Sequence, residues 1–146
     1  MQILFAELGV CVHIYQRIEV LLKVLLPHLI VPGTDVHAPG EGFENWRVLL
    51  DSKKTLGELV RLFGQRVESA NAQAFEDAWR RLVDERNEVV HHFAEQSFSR
   101  LETKAQYRSA VLFLKTRREA AIPVFEMLDE FGRAFFASVQ EGNRAV

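Results

Sequence analysis

Apolar residues recur at helical spacing over most of the chain, and no long stretch alternates apolar and polar residues as a strand would. Over residues 2–26 the steps between apolar positions alternate between four and three, which draws one stripe along a helix. This stripe consists of Leu4, Leu8, Cys11, Tyr15, Ile18, Leu22 and Leu25. A second apolar set covers the neighbouring face: Ile3, Val10, Ile14, Leu21 and Val24. The first face predicts a core contact, and the second predicts either another helix layer or a dimer contact.

The next predicted element is a long loop. Pro27 is expected to end the first helix, because proline lacks a backbone N–H and its ring clashes with the preceding turn. Residues 27–43 are rich in proline and glycine, which favours a loop. A loop of that length is unusual in a compact domain, so it is either a functional flap or a variable surface excursion.

Helical patterns resume after this loop. Residues 44–51 fit a short helix or a turn, and Thr55 has the capping-box spacing to Glu58 at the start of the next helix. A longer helix is predicted over about residues 72–95. The stretch 96–100 contains two serines and is expected to form a turn between helices.

The last helical region is predicted from about Leu101 to Gln140, and Pro123 is expected to kink or break it. Its first half carries a basic stripe, a set of cations that share one side of the helical wheel. The basic stripe consists of Arg100, Lys104, Arg108, Lys115 and Arg118. Such a stripe is either a solvated helix face or a track for an RNA backbone.

Composition restricts the class of protein further. The chain has 146 residues, of which 48% are hydrophobic and 26% charged, as in one ordinary globular domain. The formal net charge of −2 gives no overall basic signature, so a nucleic-acid partner would need a local patch. The single cysteine, Cys11, lies in an apolar run and is expected to be buried, and a chain without a Cys pair fits a reducing cytoplasm.

The apolar N-terminus does not fit a membrane segment. Its charged and polar positions interrupt the apolar run before it reaches the length of a membrane span: Glu7, His13, Arg17, Glu19 and Lys23. The sequence therefore predicts a cytoplasmic protein without membrane contact. We expect one all-α domain over residues 1–146, an up-and-down bundle of four to five helices with a long loop around residues 27–43.

One polar residue breaks the apolar pattern of the helix predicted over residues 72–95. Arg86 occupies the position between Val83 and Val89 that should be apolar. An arginine in an apolar stripe is costly unless it is paired or reaches a pocket or an interface. Asn87 follows it directly, and His91 comes after four intervening residues. Reactive side chains are thus concentrated at this position.

The arrangement Arg86-Asn87-x-x-x-His91 resembles the motif of the HEPN superfamily, in which an arginine precedes a histidine by a similar interval and a polar residue follows the arginine. The helical context of nearly the whole chain is also similar. This resemblance implies a HEPN-like helical bundle and a metal-independent endoribonuclease whose site forms where two copies of the motif meet. It is compatible with a toxin or defence effector that an antitoxin protein restrains.

The resemblance also implies roles for individual residues. Arg86 would hold the phosphate, since its guanidinium is planar and always charged. His91 would transfer protons, because the ordinary pKa of histidine is about 6.5. Asn87 would orient the phosphate or a histidine, and His92 is a second candidate. On an ideal helix Arg86 and His91 lie about 140° apart, so they converge only if the arginine reaches round, the helix distorts or a partner subunit contributes.

Other chemistry has little support in the sequence. No phosphate-binding glycine loop, HExxH motif or Cys pair is present, so we expect no cofactor and no metal site. Two alternatives to the ribonuclease remain. The chain is a non-catalytic helical module that binds a nucleotide or a partner protein, or it is a structural homodimer subunit of a larger assembly. If the motif is purely structural, Asp84, Asn87 and His91 form a solvated face and Arg86 pairs with Glu58 or Glu88 inside the bundle.

Overall fold

The computed structural model of the protein describes most of the chain, namely residues 1–30, 40, 44, 47–49, 51–67 and 72–144. Within these residues the fold is all-helical and contains no strand, which confirms the predicted all-α helical bundle. Four α-helices have both ends within this part: α1 (Gln2–Ile30), α2 (Leu56–Gly64), α3 (Ala72–Val90) and α4 (Lys104–Arg144). Residues 44 and 47–49 are helical as well, in line with the short helix or turn predicted over 44–51. A 3-10 turn, Phe93–Glu95, follows α3, and residues 97–100 form the predicted turn before α4.

The prediction that Pro27 ends the first helix is wrong. Pro27 lies inside α1, which continues to Ile30. A proline removes one backbone hydrogen bond, and Pro27 is buried directly after Leu25 and Leu26, which are at most 1% exposed. Burial of this last turn therefore outweighs the lost hydrogen bond. Apart from a turn at Gly40, the remainder of the predicted loop around 27–43 lies outside the described residues.

Pro123 does not break the last helix either. α4 runs without interruption for 41 residues and contains Pro123 in its interior, so the predicted break is wrong, whereas a kink there stays a prediction. The start of α4 also differs, because Leu101 adopts a left-handed φ of 55° that ends the preceding turn. Local helix stability on both sides of Pro123 is sufficient to accommodate one missing N–H donor.

Two capping boxes start helices in the described chain. At α2 the predicted box is confirmed, since the Thr55 N–H donates to Glu58 Oε2 at 2.8 Å and the Glu58 N–H donates to Thr55 Oγ1 at 3.4 Å. Before α4, the Gln106 N–H donates to Thr103 Oγ1 at 3.1 Å, and the Thr103 N–H donates to Gln106 Oε1 at 3.1 Å. The spacing Thr-x-x-Gln would have located the true start of α4 in the sequence.

The chain divides into two compact units, which we describe separately. Unit 1 contains residues 1–17 and 69–123, and unit 2 contains residues 18–68 and 124–146. The prediction of a single domain over residues 1–146 stays a prediction.

In unit 1, α3 and α4 run in opposite directions, and α1 runs parallel to α4. The opposite directions follow from two contacts, Glu88 with Arg117 and Phe93 with Phe113. The parallel pair follows from contacts of Met1 with Tyr107 and of Cys11 with Leu114. The core of unit 1 consists of Leu4, Cys11, Tyr15, Trp79, Leu82, Val89, Ala110, Leu114 and Ala121.

Unit 2 has a core of aliphatic and aromatic side chains. Its buried residues are Ile18, Leu22, Leu25, Leu26, Leu49, Leu56, Leu59, Phe63 and Leu128. Phe63 packs edge-on against Phe131, with ring centroids 6.1 Å apart. The His28 ring packs against Phe135 and Phe136 in the same manner. A Cβ at Gly132 would lie 3.6 Å from Leu25, so this part of α4 approaches α1 closely.

The two apolar faces predicted for α1 have different environments. The first stripe is buried at every position except Leu8, which is half-buried, so this prediction is confirmed. On the second face, Ile3 and Val10 are 61% and 42% exposed, whereas Ile14 is half-buried. The N-terminal part of this face is therefore uncovered in the described structure. No helix in the described residues is both long and apolar enough to cross a membrane.

Candidate active site

The end of α3 positions the motif. The Asn87 carbonyl oxygen accepts two backbone hydrogen bonds, from the His91 N–H at 2.9 Å and from the His92 N–H at 3.2 Å. The second bond spans five residues, so the backbone widens there from the α-helical pattern, and α3 ends at Val90. The motif therefore spans the end of a helix, and the ideal-helix angle between Arg86 and His91 does not apply.

The three residues of the motif converge at this point. Arg86 Nη1 donates to Asn87 Oδ1 at 3.2 Å and lies 2.8 Å from His91 Nε2. From the sequence, Arg86 and His91 could converge if the arginine reached round the helix, if the helix were distorted, or if a partner subunit contributed one of them. In the structure the first two conditions both hold, and the two side chains meet within one chain.

The contact between Arg86 and His91 determines the histidine tautomer. A guanidinium group only donates hydrogen bonds, so His91 Nε2 must accept with its lone pair. The ring proton of that tautomer is on Nδ1. His91 therefore holds its basic nitrogen beside the cationic group that would bind a phosphate.

The burial of Arg86 explains the break in the apolar pattern. Arg86 is half-buried and lies on the side of α3 that carries Leu82 and Val89, both 2% exposed. A long arginine side chain can cover apolar surface with its methylene groups while its charged end reaches solvent. The contact between its guanidinium and His91 lies at the exposed surface. Arg86 thus connects the core of unit 1 with the exposed motif.

His92 is held by a different partner. Its Nδ1 lies 3.0 Å from Glu95 Oε2, and the two side chains are 51% and 70% exposed. The His92 ring centroid lies 6.4 Å from that of His91, and the two rings are nearly perpendicular. His92 is therefore close to the motif, but its Nδ1 is oriented toward the 3-10 turn rather than toward Arg86.

An ion pair between α3 and α4 supports the site. Arg117 donates to Glu88 Oε2 through Nη2 at 2.6 Å and Nε at 3.2 Å, and its guanidinium carbon lies 4.0 Å from the centre of the Phe113 ring. These contacts fix the last turns of α3 against α4. Glu88 is thus bound by Arg117, and Glu58 by the cap of α2. The role of Arg117 could not be predicted from the sequence, since residues 29 positions apart carry no local signal of their pairing.

A partly buried polar layer in unit 1 consists of Glu7, Cys11, Tyr15, Glu85 and Arg118. Arg118 Nη1 lies 2.9 Å from Glu7 Oε2, but their alignment leaves that oxygen and Arg118 Nε without a hydrogen bond among the described residues. The Cys11 thiol donates to the Leu114 carbonyl at 3.1 Å. The Tyr15 hydroxyl is buried and likewise finds no hydrogen-bond partner in the described chain.

Burial changes the titration of this polar layer. It raises the pKa of the Cys11 thiol to about 11, with a contribution from the nearby Glu7 charge, so the thiol is not a nucleophile at neutral pH. Burial, with Glu85 nearby, raises the pKa of the Tyr15 hydroxyl, and burial also raises the pKa of the Glu85 carboxyl against the opposing charges of Arg117 and Arg81. The predicted burial of Cys11 is confirmed.

The structure divides the basic stripe. Lys104, Arg108 and Lys115 are exposed on α4 and form no ion pair with described residues. Arg100 is exposed in the turn before α4 begins, so it does not share the helical wheel, and Arg118 is paired with Glu7 in the polar layer.

The exposed cations of α4 also lie on the side of that helix away from α3, which carries the motif. Arg108 precedes Arg117 by nine residues, which is about 180° around the helix. Arg117 contacts α3 through Glu88, so Arg108 is directed away from the helix that carries the motif. The exposed cations therefore do not continue the surface of Arg86 and His91.

Comparison with known proteins adds no relative, because the chain matches no protein-family model, no curated protein and no solved structure. Across the described residues, no group of three His, Cys, Asp or Glu side chains is arranged to hold a metal ion.

Proposed function

We propose that this protein is a HEPN-like, metal-independent endoribonuclease with its site at the end of α3. The observation that carries this proposal is the convergence of Arg86, Asn87 and His91, in which one guanidinium nitrogen lies 3.2 Å from the amide oxygen and 2.8 Å from the imidazole. A fixed cation and a neutral imidazole at the surface are the groups that RNA cleavage through the 2′-hydroxyl requires.

The reaction follows from these groups. A phosphate of the RNA displaces His91 from Arg86 Nη1, and the freed Nε2 removes the proton from the 2′-hydroxyl. The 2′-oxygen attacks phosphorus, and the bond from phosphorus to the 5′-oxygen breaks once that oxygen receives a proton. The products are a 2′,3′-cyclic phosphate and a 5′-hydroxyl. Arg86 stabilises the charge that develops on the phosphate oxygens, and the Asn87 amide nitrogen is available as a second donor.

The proton for the 5′-oxygen needs a second acid. His92 of the same chain is one source, although its Nδ1 is bound by Glu95. A second copy of the chain that brings its own His91 to the phosphate is the other, and we favour it because His92 Nδ1 is oriented toward Glu95 rather than toward Arg86. The proposed active form is therefore a homodimer acting on RNA.

The test measures cleavage of several RNAs of different sequence in the presence of EDTA. Wild-type protein should cleave, and Arg86→Ala and His91→Ala should each lower the rate by about 100-fold or more. His13→Ala is the matched control, since His13 is an exposed histidine on α1 and should leave the rate unchanged. Circular dichroism establishes that the variants are folded. Intact RNA with wild-type protein, or an undiminished rate in His91→Ala, would contradict the proposal.

One observation favours a second candidate, a module that binds a nucleotide or a partner protein without cleavage. His91 Nε2 is already engaged by Arg86, so the pair can also act as a phosphate clamp with no turnover. This candidate predicts that a nucleotide raises the melting temperature of the wild type and not that of Arg86→Ala, while RNA stays intact.

A further inference from the structure

Unit 1 has an exposed face made of one apolar and one cationic ridge, which we call the α1/α4 outer face. The apolar ridge consists of Ile3 and Val10, which are 61% and 42% exposed. The cationic ridge consists of Arg108 and Lys115, both exposed and in no ion pair with described residues. Single exposed apolar residues are common, but here two lie along one ridge beside two cations that form no ion pair with described residues.

Contacts within unit 1 place the two ridges on the same side of the contact between α1 and α4. On α4, Arg118 contacts α1 through Glu7, and Lys115 lies about 60° further round on the side away from α3. On α1, Glu7 contacts α4, and Tyr15 lies on the side of α1 that faces α3. Val10 lies about 60° from Glu7 around α1, in the direction away from Tyr15. Each ridge therefore flanks the α1–α4 contact on its outer side.

The ridges are also in register along the helices. α1 and α4 run parallel, and their contacting residues differ in number by 103 at Cys11 with Leu114, by 106 at Met1 with Tyr107 and by 111 at Glu7 with Arg118. Ile3 with Arg108 and Val10 with Lys115 differ by 105, within this range, so the two ridges run alongside each other. Both ridges repeat after seven residues, the spacing at which one helix packs along another.

We propose that the α1/α4 outer face binds an acidic amphipathic helix of a partner protein. The apolar seam of this partner helix covers Ile3 and Val10, and the carboxylates of the partner helix pair with Arg108 and Lys115. RNA would supply phosphates for the cations but no apolar group for the other ridge. A second copy of this face would set the same cations against each other, and Glu119 at the end of the cationic ridge offers fewer carboxylates than an acidic helix does. This inference is independent of the proposed ribonuclease activity, because the face lies away from Arg86 and His91.

The test uses a synthetic helical peptide as the probe, with leucine at the seam positions of each heptad and glutamate at the flanking positions. Its binding to the full chain is followed by fluorescence anisotropy. We expect a Kd on the order of 10 µM, with at least tenfold weaker binding of a peptide in which lysine replaces glutamate. The double variant Arg108→Glu/Lys115→Glu should reverse this preference and bind the lysine peptide more tightly. Val10→Asp should weaken binding of the acidic peptide to the otherwise wild-type chain and of the lysine peptide to the double variant.

Two control variants make the same chemical changes elsewhere. Lys53→Glu/Lys54→Glu reverses two exposed charges, and Val20→Asp places an acid at another exposed position of α1; neither should change binding. All substituted positions are exposed, so the melting temperatures should remain close to that of the wild type.

Three results would overturn the inference. The first is the absence of saturable binding of the acidic peptide. The second is loss of a dimer in Val10→Asp, seen by light scattering, which would assign the face to a second copy. The third is loss of RNA binding in Arg108→Glu/Lys115→Glu with no competition by the acidic peptide, which would assign the cations to nucleic acid.

Discussion

The two units of the chain are stabilised by different kinds of contact. Unit 2 buries aliphatic side chains and aromatic rings, and the ion pairs described in it, such as Asp129 with Arg133, lie at the surface. Unit 1 buries apolar residues as well, but its helices are also joined by the part-buried pairs of Glu7 with Arg118 and of Glu88 with Arg117. Three of its buried side-chain atoms find no hydrogen bond among described residues.

This difference coincides with the position of the candidate site. Groups that a core normally excludes are expensive to bury, and proteins retain them mainly where they serve a function or position a residue that does. The ion pair of Glu88 and Arg117 holds the turn from which Arg86 and Asn87 extend. We infer that unit 2 contributes mainly stability and that unit 1 gives up part of its packing to present the motif.

The largest expected effect on stability is in unit 2. Leu25→Ala should lower the free energy of unfolding by about 3 kcal/mol, because Leu25 is 1% exposed and its removal leaves a cavity beside Gly132. Val20→Ala on the same helix, 51% exposed, should change it little. Urea denaturation measures both. Equal effects of the two variants would show that α1 is not packed as described.

In unit 1, a substitution at Tyr15 should raise the free energy of unfolding rather than lower it. Tyr15→Phe keeps the ring but removes a buried hydroxyl without a hydrogen-bond partner, so the free energy of unfolding should rise by about 1 kcal/mol. Tyr107→Phe is the matched control, because the Tyr107 hydroxyl accepts a bond from the N-terminal amine at 3.3 Å and its removal should not stabilise. A destabilised Tyr15→Phe variant would mean that the hydroxyl is satisfied in solution.

The smallest effect is a pH dependence at Glu85. Burial raises the pKa of this carboxyl above 4.5, so protonation favours the folded state, and that contribution is lost as pH rises through the folded-state pKa. Glu85→Gln should therefore melt slightly higher than wild type at pH 7. The difference should shrink as pH falls below the pKa of the unfolded chain. Thermal unfolding at a series of pH values measures it, and a difference that grows toward acid pH would contradict the assignment.

Local sequence patterns predicted much of the fold. The period of apolar residues identified the buried side of α1, and the Thr55–Glu58 spacing identified the start of α2. The two prolines were misjudged because proline propensity describes a local cost. Pro27 lies in a buried turn, and Pro123 lies within a long helix that tolerates one missing donor.

The residues of the candidate site can be proposed from the sequence, but their geometry cannot. Residue types and spacing pointed to Arg86, Asn87 and His91, and the position of Arg86 in an apolar stripe marked it as unusual. Their convergence depends on where α3 ends and on how the Asn87 carbonyl is shared, which helical periodicity does not encode. The pairing of Arg118 with Glu7 joins residues far apart in the chain, so the basic stripe could not be divided from the sequence alone.

The chemical ends of cleaved RNA test the central claim most directly. If Arg86 and His91 promote attack by the 2′-hydroxyl, wild-type protein in EDTA will produce fragments with a 2′,3′-cyclic phosphate and a 5′-hydroxyl, which mass spectrometry distinguishes by mass. A substrate with 2′-deoxyribose at the cleaved position will stay intact. Fragments that carry a 3′-hydroxyl and a 5′-phosphate, or cleavage of the deoxy substrate, would contradict the account.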